Sequence, residues 1–492
     1  MHKGMRFALL SATAVCGVAS AILAAAPASA QTMQESLAFT YNNNPTLLAA
    51  RAQLRAVDEG VPQALAGWRP TVVMAGNAGA ADVRTRSQQQ VFRPDGSFFW
   101  RDPAGQLSNG VIGPIPNTIR QERTSASATV TLTQPIYRGG RTVAQTRQAE
   151  NTVLAQRARL LAVEQQVLGD AVQAYIGVIQ NGELLRLNIN NEQVLVRQLQ
   201  ATNERFRVGE ITRTDVAQAE SRLAGARATR TNSEGTLQIA RATFERVVGA
   251  APQRLTNPQP LAVPIRSAAE AQAVAIANNP NVVSALFNAA SARDNIDVQM
   301  SVLLPQVSAN AQAFRQDNQV SPHTRQTGGQ ATINLSVPIF QGGAEHSAVR
   351  QARQQAQQNI TLVDEQRRLA AQNASQSWEN LRSNRSQVDS VRAQIRAAEI
   401  ALDGVQREAI VGSRTTLDVL NAEQELLNAR TSLVNALASV VTGSYALAAS
   451  IGRLTAQDLG LPVELYDMRA YYNAVRNRWV GLGDYSTVAV RR

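Results

Sequence analysis

The chain has 492 residues, a formal net charge of +11 and a single cysteine. That length allows several domains, and one cysteine excludes a disulfide framework or a thiolate metal site. A basic excess raises the question of a nucleic-acid partner, but Lys3 is the only lysine and every later cation is arginine, which reads as composition bias and not as a phosphate-binding patch.

The N-terminus is a secretory signal. Lys3 and Arg6 precede an uncharged run from Phe7 to Ala26, and Ala28-Ser29-Ala30 places small residues at the cleavage positions. Residues 1–30 are therefore expected to leave, taking Cys16 with them, and 46 arginines against 37 acids leave the exported chain at +9. Nucleic acid is not expected as a partner in that compartment.

The remaining chain is written twice. Leu132-Thr-Gln-Pro-Ile-Tyr-Arg-Gly-Gly140 returns as Leu335-Ser-Val-Pro-Ile-Phe-Gln-Gly-Gly343, an offset of 203 that also aligns Val208-Gly209 with Val411-Gly412 and Gly249 with Gly452. Upstream, Asn44-Pro45 matches Asn279-Pro280 at an offset of 235, so the first copy carries 32 extra residues between Pro70 and Pro135. The repeats are read as 31–262 and 263–453, followed by a tail at 454–492.

Each copy opens with a leading helix that ends near Trp68 or Leu303. Two strands follow, at about 70–82 and 123–135 in the first copy and 305–314 and 329–338 in the second. They alternate with the period of two that separates the faces of a strand: Ala126, Ala128, Val130 and Leu132 lie opposite a Ser/Thr face, and Ala331, Ile333, Leu335 and Val337 lie opposite Gln, Thr, Asn and Ser. Strands of this kind are the signature of an outer-membrane barrel. Lipid forbids open sheet edges, and about eight strands is the smallest known barrel, so copies of the chain must share one. The strands alone leave two, three or four copies open. Between the first two strands, a loop from Val83 to Glu122 with Phe98-Phe99-Trp100 is expected to project outside the cell, where it either narrows the mouth or stays a floppy outer loop.

Long helices come next, at about 141–208 and 344–411, proline-free and with adjacent apolar pairs every seven residues in the first. That pattern gives each helix two helical neighbours. Tight breaks at Gly209 and Gly412 lead into return helices at 213–249 and 415–452. The uncharged end of the second, Leu433 to Ile451, continues a charged helical pattern and is not read as a membrane span. No catalytic or metal constellation emerges. The histidines are His2, His323 and His346, without ligand partners at helical spacing, and Asp364/Glu365 are adjacent on a helix. No cofactor is expected.

The strand exits, the doubled Val-Gly-x5-Asp-Val breaks, and Val411 to Leu420 followed by Glu425 to Arg430 resemble the TolC family of outer-membrane channels in type I secretion and multidrug efflux. The tail from Tyr466-Asp467 to Arg478-Trp479 looks like that of alphaproteobacterial members assigned to type I secretion. The resemblance implies a homotrimer in outer-membrane lipid, with a 12-stranded β-barrel above a long periplasmic α-barrel. Its partners are a periplasmic adaptor and an inner-membrane ABC or RND transporter. The resemblance also implies a gate at the helix tips. Asp215, beside Thr214, matches the acceptor of a closing link, Arg414 its donor, and Asp418 a ring of lumenal aspartates. Ala409 stands where a gate tyrosine is common, and Asn421 where a second ring aspartate can sit, so three copies supply three ring carboxylates instead of six. Phe206, Val208, Gly209, Val411 and Gly412 form the tip turns that an adaptor would grip. The rival readings are a stand-alone porin, disfavoured by so much helix, and a periplasmic coiled-coil tether, which leaves the two-faced strands unexplained.

Overall fold

The computed structural model describes residues 31–88, 91–92, 98–101, 107–108, 116–319, 323–483 and 485; the signal segment and parts of the long loop lie outside them. The leading helices are α1 (Met33–Asn43), α2 (Pro45–Asp58) and α3 (Gly60–Leu65) in the first copy, and α6 (Ala268–Asn278) and α7 (Pro280–Met300) in the second. Both copies solve the same local problem in the same way. Asn44 caps α2 by accepting from Thr46 N at 2.9 Å, Asn279 caps α7 by accepting from Asn281 N at 2.9 Å, and proline fills the first helical position where no N–H is needed. Each leading segment ends in one 3₁₀ turn, because Pro70 and Pro305 force Arg69 and Leu304 into extended backbone.

The prolines deliver the chain into a four-stranded antiparallel sheet: β1 (Thr71–Gln88), β5 (Pro116–Arg138), β6 (Gln306–Asp317) and β7 (Arg325–Ser336), in the order β1-β5-β6-β7. Register turns the sequence alternation into two faces. Val72, Leu132, Ala311 and Ala331 form one apolar row across all four strands, and Met74, Val130 and Ala313 the next. On the other face Thr131, Gln312 and Gln330 align, with Gln330 Nε2 donating to Gln312 Oε1 at 2.7 Å. Pro135 cannot donate to the ladder, and a bulge between Pro135 and Tyr137 absorbs it.

The first hairpin is longer than alternation alone indicates: β1 and β5 stay paired out to Gln88↔Pro116, so both ends of the expected 83–122 loop are strand. Arg120 bridges Asp82 at 2.8 Å and Glu122 at 3.1 Å across this stretch; Asp82, Arg84, Arg86, Arg120 and Glu122 all fall on the face that carries Val72 and Met74 lower down, so the apolar row ends and the alternation is lost. Within the loop, β2 (Val91–Phe92), β3 (Phe98–Arg101) and β4 (Leu107–Ser108) form a small antiparallel sheet whose central strand is the aromatic run. The rest of the expected plug lies outside the described residues.

The long helices α4 (Arg141–Arg207) and α8 (Ala344–Ile410) have 67 residues each, about 100 Å at 1.5 Å per residue. The return helices are α5 (Arg213–Val248) and α9 (Thr416–Ser450). By length and composition α9 could cross a membrane, yet Ser444, Leu447 and Ala448 are buried within the protein and Ser444 Oγ accepts from Leu261 N at 2.9 Å.

Two compact units emerge, and both draw on both repeats. Among the described residues, one comprises those within 31–39, 171–259 and 395–438; the other those within 40–170, 260–394 and 439–485. In the first, Leu195, Leu223, Ala226 and Leu420 pack together, and Tyr175 stacks obliquely on Phe244 while its hydroxyl reaches Thr256 O at 2.8 Å. The second holds the sheet and buries Leu47, Leu54, Val61, Ile451 and Leu454. The tail, with its short helix α10 (Ala470–Val475), is fastened to α2 and α4 here. Glu164 accepts from Ala456 N at 2.7 Å, Tyr471 donates to Glu59 at 2.8 Å, and Arg476 donates to Glu150 at 2.8 Å.

Candidate gate at the two helix turns

Both tip turns are built by one recipe. Glycine follows the last helical residues at φ +80° in Gly209 and +81° in Gly412, a left-handed conformation that side chains resist. Gly209 N donates to Phe206 O and Glu210 N to Arg205 O, each at 3.0 Å. Gly412 N and Ser413 N repeat this to Ala409 O and Glu408 O. This is the Schellman closure, which satisfies the carbonyls a helix end leaves open.

The return helices start with equal economy. Thr212 and Asp215 form a reciprocal capping box: Asp215 Oδ2 accepts from Thr212 N at 2.9 Å and Thr212 Oγ1 at 2.7 Å. Asp418 Oδ2 does the same with Thr415, at 3.0 and 2.8 Å. The Thr212 and Thr415 bonds stabilise the ionised forms and hold both aspartates below the usual carboxylate range. Both candidate gate aspartates are thus caps first, with one oxygen of each engaged inside the chain.

Arg414 has a partner that the sequence did not suggest. Its Nε donates to Glu408 Oε2 at 2.8 Å, across the Gly412 turn. In the first copy the same turn is bridged with the charges exchanged, Arg205 Nη2 to Glu210 Oε1 at 2.6 Å. Opposite charges five or six residues apart across a Val-Gly pair were the available signal. Within one chain, then, Arg414 is engaged by Glu408 and Asp215 by Thr212. Asn421 accepts from Arg222 Nη2 of α5 at 3.0 Å, tying the two return helices together. Glu423 also escaped the sequence reading; its Oε2 is buried without a hydrogen-bond partner, and burial raises its pKa.

Thr214 is exposed at the start of α5. Apolar side chains crowd the turns in full view of solvent, with Val208 and Val411 each 78 % exposed and Ile410 84 %. Ala409, by contrast, is buried and lines a groove of about 480 Å³ with Gln198, Arg205, Gln406, Thr416 and Val419. Among the described residues no group of three or more His, Cys, Asp or Glu is placed to hold a metal ion. What this arrangement offers is charge pairing and an apolar rim.

The chain is similar to known proteins over most of its length. The sequence profile of the outer membrane efflux protein family matches residues 40–250 and 273–453, one block per repeat. The chain is 33 % identical over 476 residues to the outer membrane efflux protein BepC of Brucella suis biovar 1 (strain 1330), covering 96 % of this chain and 95 % of that one. It is 25 % identical over 369 residues to the outer membrane protein TolC of Escherichia coli (strain K12), covering 70 % and 72 %. In fold it matches the Campylobacter jejuni CmeC outer membrane channel at a TM-score of 0.70 and 15 % identity, over 90 % of this chain and 89 % of that one.

Proposed function

The chain belongs to the outer membrane efflux protein family, an outer-membrane protein extending into the periplasm, and from that premise we propose that it is the exit duct of a tripartite secretion or efflux system. The observation that carries this reading is the sheet. It has one apolar and one polar face, and among the described residues β1 and β7 at its edges pair with no further strand. A sheet of this kind becomes stable in lipid only by closing on itself. Three copies give the 12-stranded barrel, with the 67-residue helices continuing the duct into the periplasm.

At the tips, Arg414 of one chain and Asp215 of a neighbouring helix pair form the latch, and Asp418 lines the constriction. The adaptor grips the exposed apolar turns around Phe206–Thr214 and Ala409–Leu417, and an inner-membrane transporter supplies energy and cargo. With alanine at position 409, the Arg414–Asp215 pair carries more of the closure. Each exposed link is worth about 1 kcal/mol or less, so threefold repetition is what holds the shut state.

Single-channel conductance in planar bilayers tests the reading. The wild type should rest at low conductance, and Arg414→Ser and Asp215→Ala should each raise it. The double change should add little, because both remove one shared interaction. High salt should loosen the wild type and leave the double mutant nearly unchanged. Strictly additive effects would sink the latch, and a wild type already as conductive as the mutants would make the protein an open porin.

A further inference from the structure

The tail does more than close the fold. From Ala456 it runs along α2 and α4 to the foot of the sheet. Arg51 is held between the rings of Tyr41 and Tyr466, at 4.4 and 5.2 Å from their centroids, and Tyr41 OH accepts from Tyr466 N at 3.1 Å. Arg476 then meets Glu150. Finally Arg69 Nη1 donates to Arg478 O at 2.6 Å and its guanidinium lies 5.1 Å from the Trp479 ring centroid. Arg69 directly precedes Pro70 and the first residue of β1, so the tail is pinned where the sheet begins.

Beyond that pin its side chains turn to solvent. Trp479 is 66 % exposed, Val480 87 % and Leu482 fully. None of the three contributes to a core. At the start of β1, Val72 and Met74 on one face of the sheet and Val73 on the other are also exposed. Two arginines sit with them, Arg69 at the pin and Arg478 beside it, the latter 4.1 Å from the Tyr485 ring. An indole flanked by aliphatic side chains and guanidinium groups, at the level where strands enter lipid, has the composition of a membrane–water interface: the ring suits the headgroup layer, the aliphatics the first acyl carbons and the cations the phosphates.

We propose that Trp479, Val480 and Leu482 form a foot that seats the tail in the periplasmic phospholipid leaflet of the outer membrane, with Arg69 and Arg478 as its phosphate-binding cations. The foot goes beyond the duct reading. It fixes the depth of the sheet in the membrane from a segment that is not itself a strand, and it ties α2 and α4 to the lipid surface. A second copy of the chain is the competing occupant of the same patch.

The test compares the full trimeric wild type with Trp479→Phe, reconstituted into phosphatidylethanolamine/phosphatidylglycerol vesicles that either lack bromine or carry it on the acyl carbons nearest the headgroup. The emission lost between wild type and variant isolates Trp479 from the other three tryptophans. That difference should be blue-shifted in plain vesicles and largely quenched in brominated ones. A difference of equal size in both would overturn the proposal, whether the ring stands in water or beneath a neighbouring copy. Wild-type conductance is read in the same vesicles, so failure of the quenching test with that conductance intact leaves the duct reading standing.

Discussion

At the residue scale, two carboxylates have roles that only contacts reveal. Glu408 holds Arg414 across its own turn, and in the proposed latch it would compete with Asp215 for the same guanidinium. Glu408→Gln should therefore free Arg414 for the latch and lower resting conductance, by a factor of a few for an exposed pair. In an Arg414→Ser background the same change should do nothing. An effect of Glu408→Gln that persists without Arg414 would show that it acts through the turn itself. Asp58 of α2 is fully buried with neither oxygen hydrogen-bonded. Burial raises its pKa to about 7, Arg157 only partly opposing and Glu59 adding to the rise. A carboxyl with a raised pKa binds its proton more tightly in the folded state, so stability is greatest at low pH and falls as pH climbs from about 4 through 7. Asp58→Asn should remove that slope. It should raise the thermal midpoint at pH 8, by the equivalent of about 4 kcal/mol at ~1.4 kcal/mol per pH unit, and change little at pH 4. Equal shifts at both pH values would assign the gain to packing.

At the element scale, the tip turns depend on backbone more than on side chains. Gly412→Ala places a Cβ at φ +81°, which costs about 1–2 kcal/mol for a non-glycine residue. The cost falls on a turn whose side chains meet little else. We expect a small loss of thermal stability and a large loss of adaptor binding, read by pull-down or calorimetry with the cognate adaptor, because the exposed Ile410 and Val411 are re-aimed. Preserved binding would place the grip elsewhere. The heptad pattern of α4 was legible in advance, since it is a strict period; Asn44-Pro45 and Asn279-Pro280 were legible only as a repeated pair, and the structure shows them to be helix caps. The charge-exchanged bridges Arg205–Glu210 and Glu408–Arg414 were not, because exposed ion pairs leave no periodic trace.

At the scale of the whole molecule, the faces of the sheet decide which substitutions matter. Ile333 lies on the apolar face of β7, and Thr332 on the opposite one. Ile333→Arg should cost about 2–4 kcal/mol near mid-membrane and reduce the yield of assembled trimer. Thr332→Arg, one residue away, should assemble normally and shift ion selectivity toward anions. Heat-modifiable migration on gels reads the first, and reversal potentials in a salt gradient read the second. If both variants fail alike, the sheet does not separate lipid from lumen in this way.

The sequence by itself determined the duplication, the long helices with their glycine breaks, and the two-faced strands, because each depends on residues close together in the chain or on a strict period. Only the tertiary structure decided the rest. The pairing of β5 with β6 joins strands from different repeats, which no local pattern encodes. The length of the first hairpin showed only in the strand ladder, which runs on to Gln88 and Pro116. Partners for Arg414 and Asn421 came from geometry across turns and between helices, and the Arg69–Trp479 contact joins residues some four hundred positions apart. Periodicity records which face of an element meets an apolar neighbour, but a charged side chain's partner is fixed by distance in space, and distance exists only once the chain has folded.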